Sequence, residues 1–118
     1  MLKEPLVSVV IAAYNHENFI EECIHSILTQ TYRNIELLVV DDGSRDQTWN
    51  ALQRLRPECE QRCARVQFER QENRGTSYTM NLLLSMAHGK YLYDIASDDV
   101  AVSEAIEREA EFMETHPD

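Results

Sequence analysis

The chain has 118 residues, enough for one domain with a buried core, and its 43% hydrophobic and 27% charged residues are typical of a soluble globular protein. Its 11 basic and 21 acidic residues give a formal net charge of −10, which argues against binding to nucleic acids or anionic membrane surfaces. No apolar run approaches the roughly twenty residues of a transmembrane segment, and the N-terminus lacks the apolar stretch of a signal peptide. The three cysteines follow no paired spacing, so we expect a reducing, cytoplasmic location.

Apolar strands and amphipathic helices alternate from the start of the chain. Residues 7–13 form an apolar run that predicts a buried strand. Asn15 is predicted to cap a helix that extends to about Gln30, since apolar residues follow at helical spacing. Residues 35–40 predict a second buried strand.

The middle of the chain continues the alternation. The spacing of Ser44 and Gln47 matches a capping box, which predicts a helix starting there. Pro57 is expected to kink or end that helix. Residues 66–68 predict a short third strand.

A third helix and a fourth strand with its own helix complete the pattern. Thr76 or Ser77 is predicted to cap the third helix, and the strand is predicted over residues 91–96. The acidic residues 104–118 are interpreted as a solvated helix face. Four strand–helix pairs predict an α/β fold with a mostly parallel sheet and helices on its faces.

Polar residues follow three of the four predicted strands. The first strand leads into Tyr14, the second into Asp41-Asp42 and the fourth into Asp98-Asp99. Because ligands bind beyond the carboxyl ends of parallel strands, we expect these groups to share one edge of the sheet. Carboxylates brought together raise each other's pKa or require a cation. Since magnesium-like ions use one or two carboxylates together with substrate phosphates, Asp98-Asp99 is a candidate metal site.

The residue types at this edge fit a nucleoside diphosphate. Tyr14 offers a ring on which a nucleobase can stack, Asp42 an acceptor for a base imide N–H, and Asp98 an acceptor for a ribose hydroxyl. The chain has three glycines and carries neither G-x-G-x-x-G after the first strand nor G-x-x-x-x-G-K-[ST]. This argues against a dinucleotide oxidoreductase and a P-loop enzyme.

Each of these features also has a purely structural interpretation. The segment 41–44 has the composition of an ordinary turn, and Asp98-Asp99 can be a helix N-terminal acid pair. Tyr14 can pack at the sheet edge. Of the two neighbouring aspartates, Asp41 is the one expected to be purely structural.

Several segments in register resemble a known family. Residues 7–15, 26–32 and 36–44 carry the pattern, and Asn73-Arg74-Gly75, Asn81, residues 89–92 and Ser97-Asp98-Asp99 continue it. Together they resemble the start of the family 2 glycosyltransferases, which are inverting enzymes with a Rossmann-like fold of the A-type, nucleotide-diphospho-sugar transferase kind. Two residues depart from the pattern, because Ala96 stands where the family often has an acid and Met80 where it commonly has an arginine.

The resemblance implies roles for five residues. Ala12, Tyr14, Asp42 and Asp98 would bind the nucleotide, with help to the metal as the other role open to Asp98, and Asp99 would ligate Mn²⁺ or Mg²⁺. The implied reaction transfers a sugar from a nucleotide-diphosphate sugar, commonly a UDP-sugar, to a hydroxyl of a saccharide or lipid-linked acceptor with inversion.

The resemblance also predicts what this chain holds. The family's catalytic base lies beyond residue 118, so residues 1–118 are expected to be a single, truncated donor-binding domain that is inactive alone. We expect its parent enzyme in the cytoplasm, at the inner face of the membrane, with a homodimer as an open option. A nucleotidyltransferase and a non-catalytic nucleotide- or metal-binding module remain the alternatives.

Overall fold

The predicted alternation of strands and helices is present in a computed structural model, which describes residues 4–116. The first three residues of the N-terminus and the last two of the acidic segment 104–118 lie outside this range. The elements in chain order are β1 (Val7–Ala13), α1 (Ile20–Leu28), β2 (Ile35–Asp41), α2 (Thr48–Arg62), β3 (Arg65–Arg70), α3 (Thr76–Met86), β4 (Tyr91–Asp94) and α4 (Ala105–Thr115).

The strands form one four-stranded sheet in the order β3-β2-β1-β4, and every neighbouring pair is parallel. In the register of this sheet, Ala13 lies beside Asp41 and Val10 beside Asp94. The predicted parallel α/β fold is therefore confirmed. Among residues 4–116, no helix has the length and apolar character needed to cross a membrane.

The core lies on both faces of the sheet, because successive side chains of a strand point to opposite sides. Val9 and Ile11 of β1 belong to the larger cluster, which also contains buried residues of α1, α2 and α4. Val10 belongs to the smaller cluster, with Leu38 of β2 and Leu83 of α3. Helices thus cover both faces, as the sequence predicted, and β1 and β2 are buried in the middle.

The predicted cap at Asn15 is wrong. Asn15 has a left-handed backbone with a φ of 52°, and α1 begins only at Ile20. The side-chain Oδ1 of Asn15 accepts the backbone N–H of Arg45 at 2.9 Å, so it stabilises a distant loop instead of a helix. Asparagine tolerates this conformation better than most residues, because its short polar side chain forms such hydrogen bonds.

The predicted capping box at Ser44 is wrong as well, because α2 begins at Thr48. The hydroxyl of Ser44 donates to the carboxylate of Asp41 and accepts the backbone N–H of Asn15. The helix start is held by Asp46, whose Oδ1 accepts the N–H of Thr48 at 2.9 Å.

Pro57 lies inside α2 and does not end it. Pro57 and Gln53 are both exposed, so the carbonyl of Gln53 that proline leaves without a donor can face water. Leu52, Leu55 and Cys59 are buried on both sides of the proline and hold the two halves of the helix against the sheet.

Two smaller predictions are also corrected. No side chain of Thr76 or Ser77 caps α3, since Gly75 occupies the N-cap position. Strand β4 ends at Asp94 and not at residue 96. The end of α1 at Leu28, with Thr29 as its C-cap, agrees with the predicted end near Gln30.

Candidate functional site

The polar groups that follow β1, β2 and β4 lie at the same edge of the sheet. The backbone N–H of Asp42 donates to the carbonyl of Ala13 at 2.8 Å, which places Asp42 beside the start of the Tyr14 loop. On the other side of β1, the ring Nδ1 of His16 lies 2.5 Å from Ser97 Oγ. The structure therefore brings Tyr14, Asp42 and the Asp98-Asp99 turn to one rim, the edge formed by the carboxyl ends of the strands.

Asp42 is almost buried, with 6% of its surface exposed, and its carboxylate accepts three hydrogen bonds. Oδ1 accepts from Gln71 Nε2 at 2.9 Å and from the N–H of Arg74 at 2.7 Å, and Oδ2 accepts from the N–H of Gly75 at 3.1 Å. Burial raises the pKa of Asp42, but the hydrogen bonds from Gln71, Arg74 and Gly75 outweigh it and lower the pKa overall. A carboxylate has about four lone-pair sites, and these three hydrogen bonds occupy three of them.

Asp41 is fully buried, so its carboxylate is not available to accept a hydrogen bond from a ligand. It accepts the hydroxyl of Ser44, and its Oδ2, which has no hydrogen-bond partner among the described residues, lies 3.5 Å from Nε of Arg70. Burial raises its pKa more than Ser44 and Arg70 lower it. These contacts join the ends of β2 and β3 and make Asp41 a structural residue.

The Asp98-Asp99 turn is exposed. Oδ1 of Asp99 accepts the N–H of Val100 at 3.0 Å, and Oδ2 of Asp98 lies 3.8 Å from Nε2 of His16. Burial, followed by the negative charges of Asp99 and Asp98, raises the pKa of the Cys23 thiol to about 12, which shows that both carboxylates lie near α1.

Tyr14 and Ala12 differ in accessibility. Tyr14 is 42% exposed at the rim, so its ring is available to a planar ligand. Ala12 is half-buried, lies beside Val40 in the sheet and packs against the smaller core cluster.

His16 is the rim residue that the sequence reasoning missed. The four histidines of the chain are scattered, and no local spacing pairs His16 with Ser97 or Asp98, which lie more than eighty residues further on. The available signal was its position directly after Tyr14-Asn15, at the end of a predicted strand.

The carboxylates at the rim can hold a cation only together with a bound ligand that also coordinates it. In residues 4–116, no three His, Cys, Asp or Glu side chains are grouped so that they could hold a metal ion. Asp98 and Asp99 are exposed neighbours on one turn, which suits an ion that takes one or two carboxylates and fills its other positions with phosphate oxygens and water.

The rim is an open surface, and the apolar grooves beside α4 lie away from it. An apolar groove of about 370 Å³ runs between β4 and α4, lined among others by Leu92, Tyr93, Phe112 and Met113. Its walls carry no strand-end residue of the rim. We base the site on the strand ends and not on this groove, because the polar groups that can orient a ligand converge only there.

A parallel sheet with ligand-capable acids at its carboxyl edge is the arrangement found in Rossmann-like α/β domains. The sequence model of Glycosyl transferase family 2 matches residues 8–118, and the chain therefore belongs to this family. The fold is that of the nucleotide-diphospho-sugar transferases, in agreement with the resemblance noted in the sequence.

Curated relatives carry related names. The Escherichia coli protein UDP-Glc:alpha-D-GlcNAc-diphosphoundecaprenol beta-1,3-glucosyltransferase WfaP is 36% identical over 110 residues, which are 93% of this chain and 42% of the relative. The putative teichuronic acid biosynthesis glycosyltransferase TuaG of Bacillus subtilis is also 36% identical, over 93% of this chain and 42% of its own length. The chain thus spans less than half the length of these curated relatives.

Solved structures superpose on most of the chain. S. aureus TarS 1-349 in complex with UDP-GlcNAc matches with a TM-score of 0.83 and 28% identity, covering 94% of this chain and 32% of that chain. The mannosyltransferase PcManGT from Pyrobaculum calidifontis, in complex with GDP-Man and Mn²⁺, matches with a TM-score of 0.75 and 29% identity, over 83% and 29% of the two chains.

Proposed function

We propose that this chain is the donor-binding part of a metal-dependent glycosyltransferase that transfers a sugar from a UDP-sugar to an acceptor hydroxyl with inversion. The observation that carries the proposal is the convergence of Tyr14, Asp42 and the Asp98-Asp99 turn on one edge of a parallel sheet. Family membership and the UDP-GlcNAc complex of TarS support the substrate class.

The order of the strands gives the nucleotide a direction. β1 lies between β2 and β4, so Tyr14 stands between Asp42 on one side and the Asp98-Asp99 turn on the other. Neighbouring strands are about 4.8 Å apart, which separates the two acidic groups by about 10 Å. We therefore propose that the base lies over Tyr14 toward Asp42, while the diphosphate lies toward β4.

Each residue has a role in this arrangement. The ring of Tyr14 stacks on the base, and the remaining acceptor position of Asp42 takes the base N–H, next to Ala12 at the end of β1. Asp99 holds Mn²⁺ or Mg²⁺ jointly with the diphosphate, and Asp98 accepts a ribose hydroxyl or helps to hold the cation. When bound, the cation stabilises the charge of the leaving diphosphate as a Lewis acid.

The remaining parts of the reaction are assigned outside this chain. We propose that the general base that activates the acceptor hydroxyl, and the surface that binds the acceptor, belong to sequence beyond residue 118. The curated relatives, of which this chain covers 42%, are long enough to supply both. Their names, which include a diphosphoundecaprenol-linked acceptor and teichuronic acid, support a saccharide or lipid-linked acceptor.

Calorimetry with UDP tests the donor site. We expect Mn²⁺ to raise the affinity for UDP at least tenfold over the value in EDTA, and not to raise the affinity for uridine, which has no phosphates. Mn²⁺ titrated alone should bind weakly, since Asp98 and Asp99 are the only carboxylates placed for it in the described rim. GDP in parallel measures the preference for uracil.

One substitution assigns the metal. Asp99→Ala should remove the Mn²⁺-dependent gain and leave UDP affinity in EDTA unchanged, whereas Glu111→Ala, which removes an exposed acid from α4, should behave as the wild type. An Asp99→Ala protein with the full Mn²⁺ gain, or a wild type that binds no UDP, would contradict the proposal.

A further inference from the structure

We propose that His16 is a positioning residue that fixes the Asp98-Asp99 turn for metal-dependent donor binding. The inference rests on the proposed function, because it assigns a residue to the support of the same site. It is carried by the contacts of the His16 ring, which connect the end of β1 to the turn that follows β4.

The backbone of His16 is held firmly at the rim. Its N–H donates to Oγ1 of Thr48 at 2.9 Å, and its carbonyl accepts the N–H groups of Phe19 at 3.0 Å and Ile20 at 2.9 Å. The ring meets the Phe19 ring edge-on, with 5.9 Å between the centroids. The backbone of His16 is therefore anchored to the starts of α1 and α2, and its ring packs against Phe19. The position of the imidazole thus does not depend on the turn.

The two ring nitrogens face two successive residues of the turn. Nδ1 lies 2.5 Å from Oγ of Ser97, which is 1% exposed, and Nε2 lies 3.8 Å from Oδ2 of Asp98. If the Ser97 hydroxyl donates to Nδ1, the ring proton sits on Nε2 and points toward the Asp98 carboxylate. One edge of the ring thus fixes the buried serine, and the other orients the carboxylate by a charge–dipole attraction.

The other anchors of this segment come from α1 and from Gln30 just after it, and they lie at the two ends of the segment. Sγ of Cys23 donates to the carbonyl of Ala96 at 3.4 Å, and Oγ of Ser26 accepts the N–H of Ala101 at 3.0 Å. Gln30 Nε2 donates to the carbonyl of Val102 at 2.7 Å. Within residues 4–116, none of these anchors contacts the side chains of Ser97 and Asp98, which contact His16 instead. The acid-bearing part of the turn is therefore oriented from the β1 side.

Groups that orient a metal-binding carboxylate through a hydrogen bond or a nearby proton typically affect metal affinity by about 10- to 100-fold. We therefore expect His16→Ala to lower the gain in UDP affinity that Mn²⁺ confers by about 10- to 100-fold. His16→Asn keeps an acceptor near the position of Nδ1 but lacks the Nε2 proton that faces Asp98, so it should retain part of the gain. UDP affinity in EDTA should fall by much less than the Mn²⁺ gain in both variants, because the base contacts at Tyr14 and Asp42 do not involve the turn and only the ribose contact of Asp98 does.

Calorimetry of wild type, His16→Ala and His16→Asn, each with UDP in EDTA and with UDP and Mn²⁺, measures both quantities. The matched control is His25→Ala, which removes a half-buried histidine of α1 that lies 3.5 Å from Glu58. Thermal melting of each variant separates a loss of position from a loss of fold. Long-range ¹H–¹⁵N spectra at mildly alkaline pH should show the Nε2–H tautomer for His16, and Ser97→Ala should abolish that preference.

The possible outcomes separate this proposal from the one on which it rests. A wild type without a Mn²⁺ gain would overturn the proposed function and this role together. A wild-type gain that survives fully in His16→Ala, or a variant that loses metal-free affinity and melting temperature along with the gain, would overturn the positioning role alone. Selective loss of the gain in His16→Ala with partial rescue in His16→Asn is the result we expect.

Discussion

Asp42→Asn is the substitution whose cost can be worked out most directly from the structure. The wild-type carboxylate accepts hydrogen bonds from Gln71 Nε2 and from the backbone N–H groups of Arg74 and Gly75. Asparagine has the same shape, but it replaces one acceptor oxygen by an NH₂ group. That NH₂ group must face at least one N–H donor, so one bond is lost outright and the others lose the assistance of the charge.

The expected cost follows from these three bonds. A hydrogen bond to a charged group contributes about 1.5–3 kcal/mol, and a neutral one about 1 kcal/mol. Losing one charge-assisted bond and weakening two others should lower the free energy of unfolding by about 3 kcal/mol. For a domain of this size, about 4 °C of melting temperature corresponds to 1 kcal/mol, so the midpoint should fall by about 12 °C.

The cost should depend on pH in a defined direction. The pKa of Asp42 is lowered in the folded protein, because the hydrogen bonds to the carboxylate outweigh its burial. A lowered folded-state pKa gives stability that is fully present above the unfolded-state value of about 3.9 and is lost as the pH falls through the folded-state value. The gap between wild type and Asp42→Asn should therefore be constant near neutrality and shrink below about pH 4.

Thermal melting followed by circular dichroism, from neutral pH down to about pH 3, checks both points. Asp94→Asn is the matched control, because Asp94 is an exposed aspartate at the end of β4 and its substitution should change the midpoint by about 2 °C at most. A midpoint for Asp42→Asn within about 2 °C of the wild type at pH 7, or a gap that widens toward low pH, would refute the reasoning.

Two further substitutions test the rim. Tyr14→Ala should weaken UDP binding by about 1–3 kcal/mol in calorimetry, which is the contribution of one stacked base. Tyr14→Phe and the exposed control Phe112→Ala should keep the wild-type affinity for UDP. Equal affinities in Tyr14→Ala and wild type would reject stacking. Gly43→Ala should cost at least about 2 kcal/mol in urea unfolding, because Gly43 has a φ of 74° and an added Cβ would lie 2.6 Å from the backbone N of Asn73. Gly75→Ala, where a Cβ would meet nothing within 4 Å, isolates backbone strain from this clash, and an unchanged urea midpoint for Gly43→Ala would contradict the argument.

The parts of the fold that depend on hydrophobic periodicity could be predicted from the sequence. The apolar runs of β1 and β2 and the stripe of α1 are unambiguous, because each buries residues continuously or at helical spacing. Parallel topology follows from the alternation of strands and helices. The strand order was not predicted, since nothing in the local pattern says which strand lies beside β1.

The predictions that failed are local polar patterns whose partners lie elsewhere in the fold. Asn15 and Ser44 have the residue types of helix caps, but the side chain of each forms a hydrogen bond with the loop that contains the other. A cap is predicted from neighbours within four residues, whereas these hydrogen bonds join groups about thirty residues apart. His16 was missed for the same reason, because its partner Ser97 belongs to a different strand end.

The site residues were predicted as a set of strand ends, and the structure adds the environment of each acid. Asp41 is buried beside Arg70, Asp42 is held by donors from the loop after β3, and the Asp98-Asp99 turn is exposed. The same residue type is thus found in three settings at one rim, and only the last leaves its charge open to solvent. A sequence pattern cannot make this distinction, since it depends on donors that arrive from distant segments.

Because of this difference in environment, the two sides of β1 have different proposed roles, which are base recognition at Asp42 and metal-dependent diphosphate binding at Asp98-Asp99. The carboxylate of Asp42 already accepts three hydrogen bonds, which stabilise its negative charge. A ligand there therefore meets a hydrogen-bond acceptor and little electrostatic repulsion. Asp98 and Asp99 keep an exposed negative charge, in a chain whose net charge is −10, and a diphosphate cannot approach them without a cation between. Nucleoside recognition should therefore persist in EDTA, and the dependence on metal should arise only from the phosphates. His16 contacts the β4 side of the rim and not Asp42, so its effect should fall on the ribose and metal contacts of the turn and not on the base contact.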